Sequence, residues 1–219
     1  IDKIFKIIFD DINLAYNYIK YIKRNNHINK KKFNKDTLKG SDLILSSYVP
    51  EKIRNFINNN EGNVIQYECK LNVHKIKILF IIFDNEEDIS KYDKYAELML
   101  TWLKVAFMYS RSICSKELKV YLYMTPEKKV LPKTQVDILS PINCNSAVTN
   151  GCLEKNEIII YRKEEWFKVF IHETFHSLGL DFANYSTTEF EKGISSIFPL
   201  KDIDITETYA EFWATIINC

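Results

Sequence analysis

The most constraining feature of the chain is the segment Lys168-Val169-Phe170-Ile171-His172-Glu173-Thr174-Phe175-His176-Ser177-Leu178-Gly179-Leu180. Four residues are slightly more than one helical turn, so a helix here projects His172 and His176 from one face. Two imidazoles at that spacing can share one tetrahedral zinc ion, and Glu173 can reach a water molecule on the ion. The segment therefore predicts a helix that carries a metal centre.

The alternative is a chance occurrence of these residues on a solvated helix. The flanking side chains argue against it because they are largely apolar and predict a buried helix: Trp166, Phe167, Phe170, Ile171, Phe175 and Leu178. Histidines and a glutamate on a buried helix need partners, which a metal supplies. Gly179 lies near the histidine side and can end the helix in a left-handed conformation.

The order His172-Glu173-Thr174-Phe175-His176 resembles the signature of the zincin metallopeptidases. The metzincin branch takes its third ligand from a His or Asp three residues after a glycine. Gly179 matches that glycine, but Phe182 stands at the ligand position and Asp181 comes one residue too early.

The gluzincin branch takes its third ligand from a helix further along the chain. Glu207-Thr208-Tyr209-Ala210-Glu211 is similar to the Glu-x-x-Ala-Asp/Glu pattern of several gluzincins, including the anthrax lethal factor type. In that pattern the first acid binds zinc and the second orients a ligand histidine. The resemblance thus implies Glu207 as the ligand and Glu211 as its partner. The spacing leaves their order open, since both acids share one helix face.

The resemblance also implies an activity. It is the hydrolysis of peptide bonds by an endopeptidase with one Zn²⁺, a zinc-activated water and Glu173 as general base. The oxyanion needs a further stabilising group, for which Tyr185 and Tyr209 are the candidates. The implied partner is a peptide or protein substrate.

The pattern of apolar residues predicts an α+β fold in two parts. Residues 1–60 form an N-terminal helical and basic segment, in which residues 20–35 are interpreted as a solvated linker. Residues 61–219 form a zincin-like domain with a mixed twisted sheet, a long helix, an active-site helix and a C-terminal glutamate helix. Its predicted strands are residues 64–73, 75–83, 118–124 and 157–161, and the long helix is 89–113. His74 is expected in a solvated turn.

A long irregular stretch, residues 127–156, precedes the last predicted strand. Loops of this length in a compact domain usually serve a function. In zincins an exposed edge strand pairs with an extended peptide substrate, and the matching candidate here is Asn145, Ser146, Ala147, Val148 and Thr149. The alternative is a plain surface loop.

Composition restricts the partners and the location. Lys and Arg number 30 and Asp and Glu number 29, which gives no case for a nucleic-acid partner. No signal peptide or membrane-spanning run is visible, so neither a membrane partner nor a secretory route is indicated and an intracellular or virion-associated protein is expected. The five cysteines are expected as reduced thiols, with a Cys144–Cys152 pair as the alternative. The N-terminal helix is a candidate contact for a protein partner.

Two further alternatives concern function. The chain could be a catalytically silent zincin-fold protein, structural or virion-associated, whose zinc only holds helices together. Such a site needs a fourth protein ligand, for which Asp181 or a cysteine is available. The chain could also be a partner-activated protease whose specificity lies in a region before Ile1.

Overall fold

The computed structural model describes residues 2–84, 88–132, 134, 138–183, 185–198 and 203–219. These residues form an α+β fold around a mixed sheet. The helices are α1 Asp2–Arg24, α2 Glu51–Asn59, α3 Ser90–Tyr109, α4 Pro141–Cys144, α5 Trp166–Ser177, α6 Thr188–Ile197 and α7 Ile205–Asn218. The strands are β1 Asn29–Asn34, β2 Asn63–Leu71, β3 His74–Ile82, β4 Glu117–Tyr123, β5 Ala147–Thr149 and β6 Lys155–Ile160. Two 3₁₀ turns, Lys35–Thr37 and Asp42–Leu45, precede α2.

The described strands form one sheet in the order β1-β2-β3-β4-β6-β5. β3, β4 and β6 run parallel in the centre, and the flanking pairs β1–β2, β2–β3 and β5–β6 are antiparallel. The apolar centre of the sheet agrees with the burial that parallel strands require. β5 forms one edge, next to the strand that leads into α5.

Alternating side chains of each strand face two different apolar layers. In β3, Ile78 and Phe80 face the larger core with α1, α3, α5 and α7, whereas Leu79 and Ile81 face a smaller core with α2. This separation follows from the two-residue period of a strand. Both faces of the sheet are thus covered, and α5 and α7 lie on the same face.

The basic run is not the solvated linker that the sequence predicts. Residues 29–34 form β1 and pair with β2 from Asn29↔Glu68 to Asn34↔Asn63. Five of the six side chains of β1 are exposed, so no alternation of apolar residues reveals the strand. Lysines on an edge strand also discourage pairing with another chain, which explains the composition.

The predicted boundary between residues 60 and 61 separates elements that share one sheet and one core. Ala15, Ile19 and Ile22 of α1 are buried in the larger core, where α1 packs against α3. None of the helices in the described ranges combines the length and the apolar character that a membrane crossing requires.

His74 is buried rather than solvated. Its ring stacks on Phe107 with 3.8 Å between the ring centroids, and its Nδ1 lies 3.1 Å from the carbonyl oxygen of Ser115. Burial lowers the pKa of His74, so the neutral ring is favoured. Strand β3 begins at His74 itself, so the turn between β2 and β3 consists of residues 72 and 73.

Candidate metal centre

Helix α5 is held in the core by its apolar face. Phe170, Ile171 and Phe175 are buried, and the indole N–H of Trp102 in α3 donates a 2.7 Å hydrogen bond to the hydroxyl of Thr174. This bond satisfies two polar groups that would otherwise be costly to bury. The helix therefore has a fixed rotation, and its other face presents His172, Glu173 and His176 to a cleft.

The end of α5 turns the chain back beneath the histidines. Gly179 has φ 63°, a left-handed conformation that suits glycine. The N–H of Gly179 donates to the carbonyl of His176, and the N–H of Leu180 donates to that of Phe175. This is the Schellman pattern of helix ends, as the glycine predicts. The reversal brings Asp181 back to His176.

The third predicted ligand comes from α7. The carboxylate of Asp204 accepts a hydrogen bond from the backbone N–H of Glu207 at 3.1 Å and so caps the helix. Glu207 places one carboxylate oxygen 3.1 Å from Nε2 of His172 and the other 3.4 Å from Nε2 of His176. The two Nε2 atoms are 3.1 Å apart. Two nitrogens and a carboxylate therefore converge on one point.

This cluster has the size of a zinc site. Donor atoms that surround a tetrahedral zinc ion at ~2.0–2.1 Å lie ~3.4 Å from one another. The two Nε2 atoms are 3.1 Å apart, one oxygen of Glu207 is 3.1 Å from that of His172, and the other oxygen is 3.4 Å from that of His176. These separations are close to that value. Two imidazoles and one carboxylate are also a donor set that zinc prefers. The residues present thus fit the predicted ion.

Glu211 occupies a different position from Glu207. Its carboxylate lies 3.3 Å from Nδ1 of His172 and also pairs with the ammonium of Lys168. The approach to Nδ1 is close enough for an ion pair but is not a hydrogen bond, and among the described residues that buried nitrogen has no hydrogen-bond partner. The structure therefore groups Glu207, and not Glu211, with the two Nε2 atoms.

The charges of the cluster favour a cation. Hydrogen bonds to His172 and His176 lower the pKa of Glu207 well below its usual range, so this carboxylate is ionised. Burial opposes protonation of His176, but its hydrogen bonds to Asp181 and Glu207 prevail and raise its pKa to about 10. Burial also raises the pKa of Glu173 to about 7, against the nearby histidine charges. In the metal-free site, a proton on His176 thus neutralises part of the negative charge of the surrounding carboxylates. A bound divalent cation would take over this role.

The cleft beside these residues has a volume of about 890 Å³, and the predicted edge strand forms one wall. Asn145 to Thr149 line it, and β5 covers Ala147 to Thr149. The N–H of Tyr161 donates to the carbonyl of Ser146, so the peptide groups of Ala147 and Thr149 face away from β6. No further strand of the described chain pairs with that edge. An extended peptide could therefore pair there.

One buried arginine holds the loop that leads to β5. The Arg162 side chain is 1% exposed and donates to the carbonyls of Glu127, Ile142 and Asn145 at 3.2, 2.7 and 2.9 Å. Three acceptors satisfy a guanidinium that would be costly to bury alone. Arg162 thereby connects Glu127 to the residues that directly precede β5.

The cysteines do not follow either prediction from sequence. Cys114 and Cys152 form a disulfide, whereas Cys69, Cys144 and Cys219 are free. The bond joins the turn after α3 to the loop between β5 and β6. Sequence separation could not reveal it, since the two turns meet only when the sheet is assembled. The disulfide also removes the expectation of reduced thiols, which was part of the case for an intracellular protein.

The tyrosines predicted to stabilise an oxyanion do not reach the cleft. Tyr209 packs against Phe175 and Phe182 with ring centroids 5.9 and 4.6 Å apart, on the side of α7 that faces away from Glu207. Tyr185 and Tyr209 line a separate apolar pocket. The sequence analysis missed several polar groups that line the cleft, among them Tyr48 and Lys168. Lys168 could have been found, because it precedes His172 by one helical turn.

Comparison of the chain with protein-family models, with curated proteins and with solved structures gives no match. Support for a metal centre therefore comes from the residues of α5 and α7 and from their geometry. Membership of the zincin family stays a prediction from the sequence.

Proposed function

We propose that the chain is a zinc-dependent metallopeptidase with a zincin-like domain, which cleaves peptide bonds inside extended substrates. The observation that carries the proposal is the convergence of Nε2 of His172, Nε2 of His176 and the Glu207 carboxylate at zinc-site distances. The cleft at this cluster also contains Glu173 and a free sheet edge. A metal, a proton acceptor and a peptide-binding edge are three parts that such hydrolysis uses.

His172, His176 and Glu207 would hold the ion. Bound zinc would polarise a substrate carbonyl and lower the pKa of a water molecule in its open position. Glu173 lies in the same cleft beside the two histidines, so its carboxylate can accept a proton from that water and return it to the amine that leaves. The outward-facing peptide groups of Ala147 and Thr149 would align the substrate backbone along the cleft.

The number of converging groups favours a catalytic site over a structural one. Structural zinc sites are closed by four protein ligands, whereas catalytic sites have three and an open position. Among the described residues, the converging metal-ligand set consists of His172, His176 and Glu207. Asp181, the predicted fourth ligand of a structural site, contacts the opposite nitrogen of His176 instead.

The test compares wild type with Glu173→Gln, both purified without added metal. We expect about one zinc per chain in each protein by elemental analysis. Wild type should cleave members of a peptide library detected by mass spectrometry, and the variant should be at least ~100-fold slower, as expected for loss of a general base. Zinc-free wild type would refute the metal centre. Zinc-containing protein that cleaves no peptide would favour the silent scaffold.

A further inference from the structure

Asp181, four residues after the end of α5, makes a contact that neither the His-Glu-x-x-His motif nor the predicted zinc ligands explain. Asp181 is 3% exposed, and its Oδ2 lies 2.7 Å from Nδ1 of His176. Its Oδ1 accepts a 3.2 Å hydrogen bond from the backbone N–H of Ala183. A buried carboxylate is costly unless both oxygens are paired, and here both are. Asp181 is thus fixed between the imidazole and the backbone.

The position of Asp181 excludes it as a ligand of the same ion. The two nitrogens of an imidazole lie on opposite sides of the ring, and Asp181 contacts Nδ1 while Nε2 faces Glu207. A carboxylate that accepts the proton of Nδ1 leaves Nε2 with a free lone pair for a metal. The contact therefore selects the ring orientation and the tautomer that metal binding needs.

We propose that Asp181 is a positioning residue of the metal centre, which holds His176 with Nε2 directed at the ion. This inference rests on the proposed function, because it requires that a metal binds at this cluster. The two histidines then differ in the carboxylate near Nδ1, which is Asp181 for His176 and Glu211 for His172. Glu211, beside Nδ1 of His172, has a side chain that is 51% exposed and shares its charge with Lys168. Asp181 is buried and makes the shorter contact, so it should matter more.

The hydrogen bond from Ala183 makes asparagine an informative substitution. In Asp181→Asn the single amide oxygen is drawn to the N–H of Ala183, which turns the NH₂ group towards Nδ1 of His176. An NH₂ group donates, so Nδ1 must become an acceptor and the proton moves to Nε2. That tautomer cannot bind a metal through Nε2. The change keeps the shape of the side chain and reverses its hydrogen-bond role.

The experiment measures zinc affinity by competition with a chromophoric chelator for wild type, Asp181→Asn and the matched control Glu211→Gln. We expect Asp181→Asn to bind zinc 10–100-fold more weakly, the usual effect of losing such a partner, and Glu211→Gln to lose less. Urea unfolding of the metal-free proteins shows whether the fold survives. The visible spectrum of the Co²⁺-loaded proteins reports the ligand set independently of activity.

Each outcome decides between stated alternatives. Weaker zinc binding and an altered Co²⁺ spectrum with an unchanged urea midpoint would support the positioning role. Equal zinc affinity in wild type and Asp181→Asn would overturn it, whether or not the urea midpoint of the variant changed. Failure of wild type to bind zinc would refute the proposed function itself and is thus a distinct result.

Discussion

The two histidines of the cluster direct the same ring nitrogen, Nε2, towards Glu207, and a separate carboxylate lies near each Nδ1. Asp181 is hydrogen-bonded to Nδ1 of His176, whereas Glu211 only approaches Nδ1 of His172. This division of roles is common in zinc proteins, where the outer partner fixes the ring that binds the metal. The structure also distinguishes Glu207 from Glu211, which helical spacing alone does not, although the family resemblance implies Glu207 as the ligand. Glu207 points to the centre of the cluster, and Glu211 lies behind His172.

The roles of these glutamates can be distinguished by removing each one. We expect Glu207→Ala to lose most of the zinc, because two histidines alone form a weak site, and Glu211→Ala to retain it with affinity lowered 10–100-fold at most. Elemental analysis after gel filtration measures the content. Retention of zinc by Glu207→Ala together with its loss in Glu211→Ala would reverse the assignment.

At the residue level, the sequence predicts the relative positions of those site residues that lie on the same helix. The spacing of His172 and His176 is sufficient because both lie on α5, and φ 63° at Gly179 agrees with the predicted helix end. The positions of Tyr185 and Tyr209 depend on how α7 and the preceding segment pack against α5, which no local pattern encodes. The choice of Glu207 over Glu211 depends on the same packing.

Among the strands, β5 has the most direct link to the proposed reaction, because it forms the wall of the cleft at which a peptide would pair. Its peptide groups alternate between β6 and the open edge, and the N–H of Thr149 faces outward. A proline at position 149 would remove that donor and leave the pairing of Val148 with Ile159 intact.

We therefore expect Thr149→Pro to lower kcat/KM for an extended peptide ~3–10-fold, the value of one hydrogen bond of ~0.5–1.5 kcal/mol, at unchanged zinc content. Thr149→Ala is the matched control. Both variants lose the 2.7 Å bond from the Thr149 hydroxyl to the carbonyl of Glu157, but only alanine keeps the N–H. Equal activity of the two variants would contradict pairing of the substrate at this position.

The strands differ in how well the sequence predicts them. The strands β3 and β6 each contain an apolar run, residues 78–82 and 158–160, and the sequence predicts both strands within a few residues of their observed bounds. β1 was missed because its lysines face solvent on the outermost strand and its stability comes from backbone pairing with β2. The helix α6 was also not predicted, since it exposes most of its side chains and buries none fully.

On the scale of the whole molecule, residues 1–60 are integrated with the rest through β1 and α1. The sequence predicts a boundary there because residues 58–63 are polar. Polar segments of this kind occur within domains as well as between them. The disulfide is a second long-range connection. It joins the turn after α3 to the loop between β5 and β6 across a sequence separation of 38 residues.

Removal of this disulfide should reduce global stability. For a loop of this length the chain-entropy relation gives about 4 kcal/mol, so we expect Cys114→Ala/Cys152→Ala to lower the free energy of unfolding by about 2–4 kcal/mol. Urea denaturation followed by tryptophan fluorescence measures it. Cys144→Ala, at an exposed free thiol, should leave the midpoint unchanged.

Thiol counting provides an independent check. Alkylation of the denatured, unreduced protein should modify Cys69, Cys144 and Cys219 and leave the other two protected. Modification of all five cysteines would show that the bond is absent under the conditions of purification.

Both β5 and α5 contact β6, and this common attachment would determine which bond of a bound peptide is cleaved. The edge and the metal cluster keep a constant separation. This separation would fix the distance along the peptide between the residues paired with β5 and the bond that is cleaved. A peptide paired with the edge can slide only by two residues, ~6.8 Å, without exchanging its two faces. Cleavage would then favour sequences whose side chains alternate in character, with every second residue turned towards the floor of the cleft.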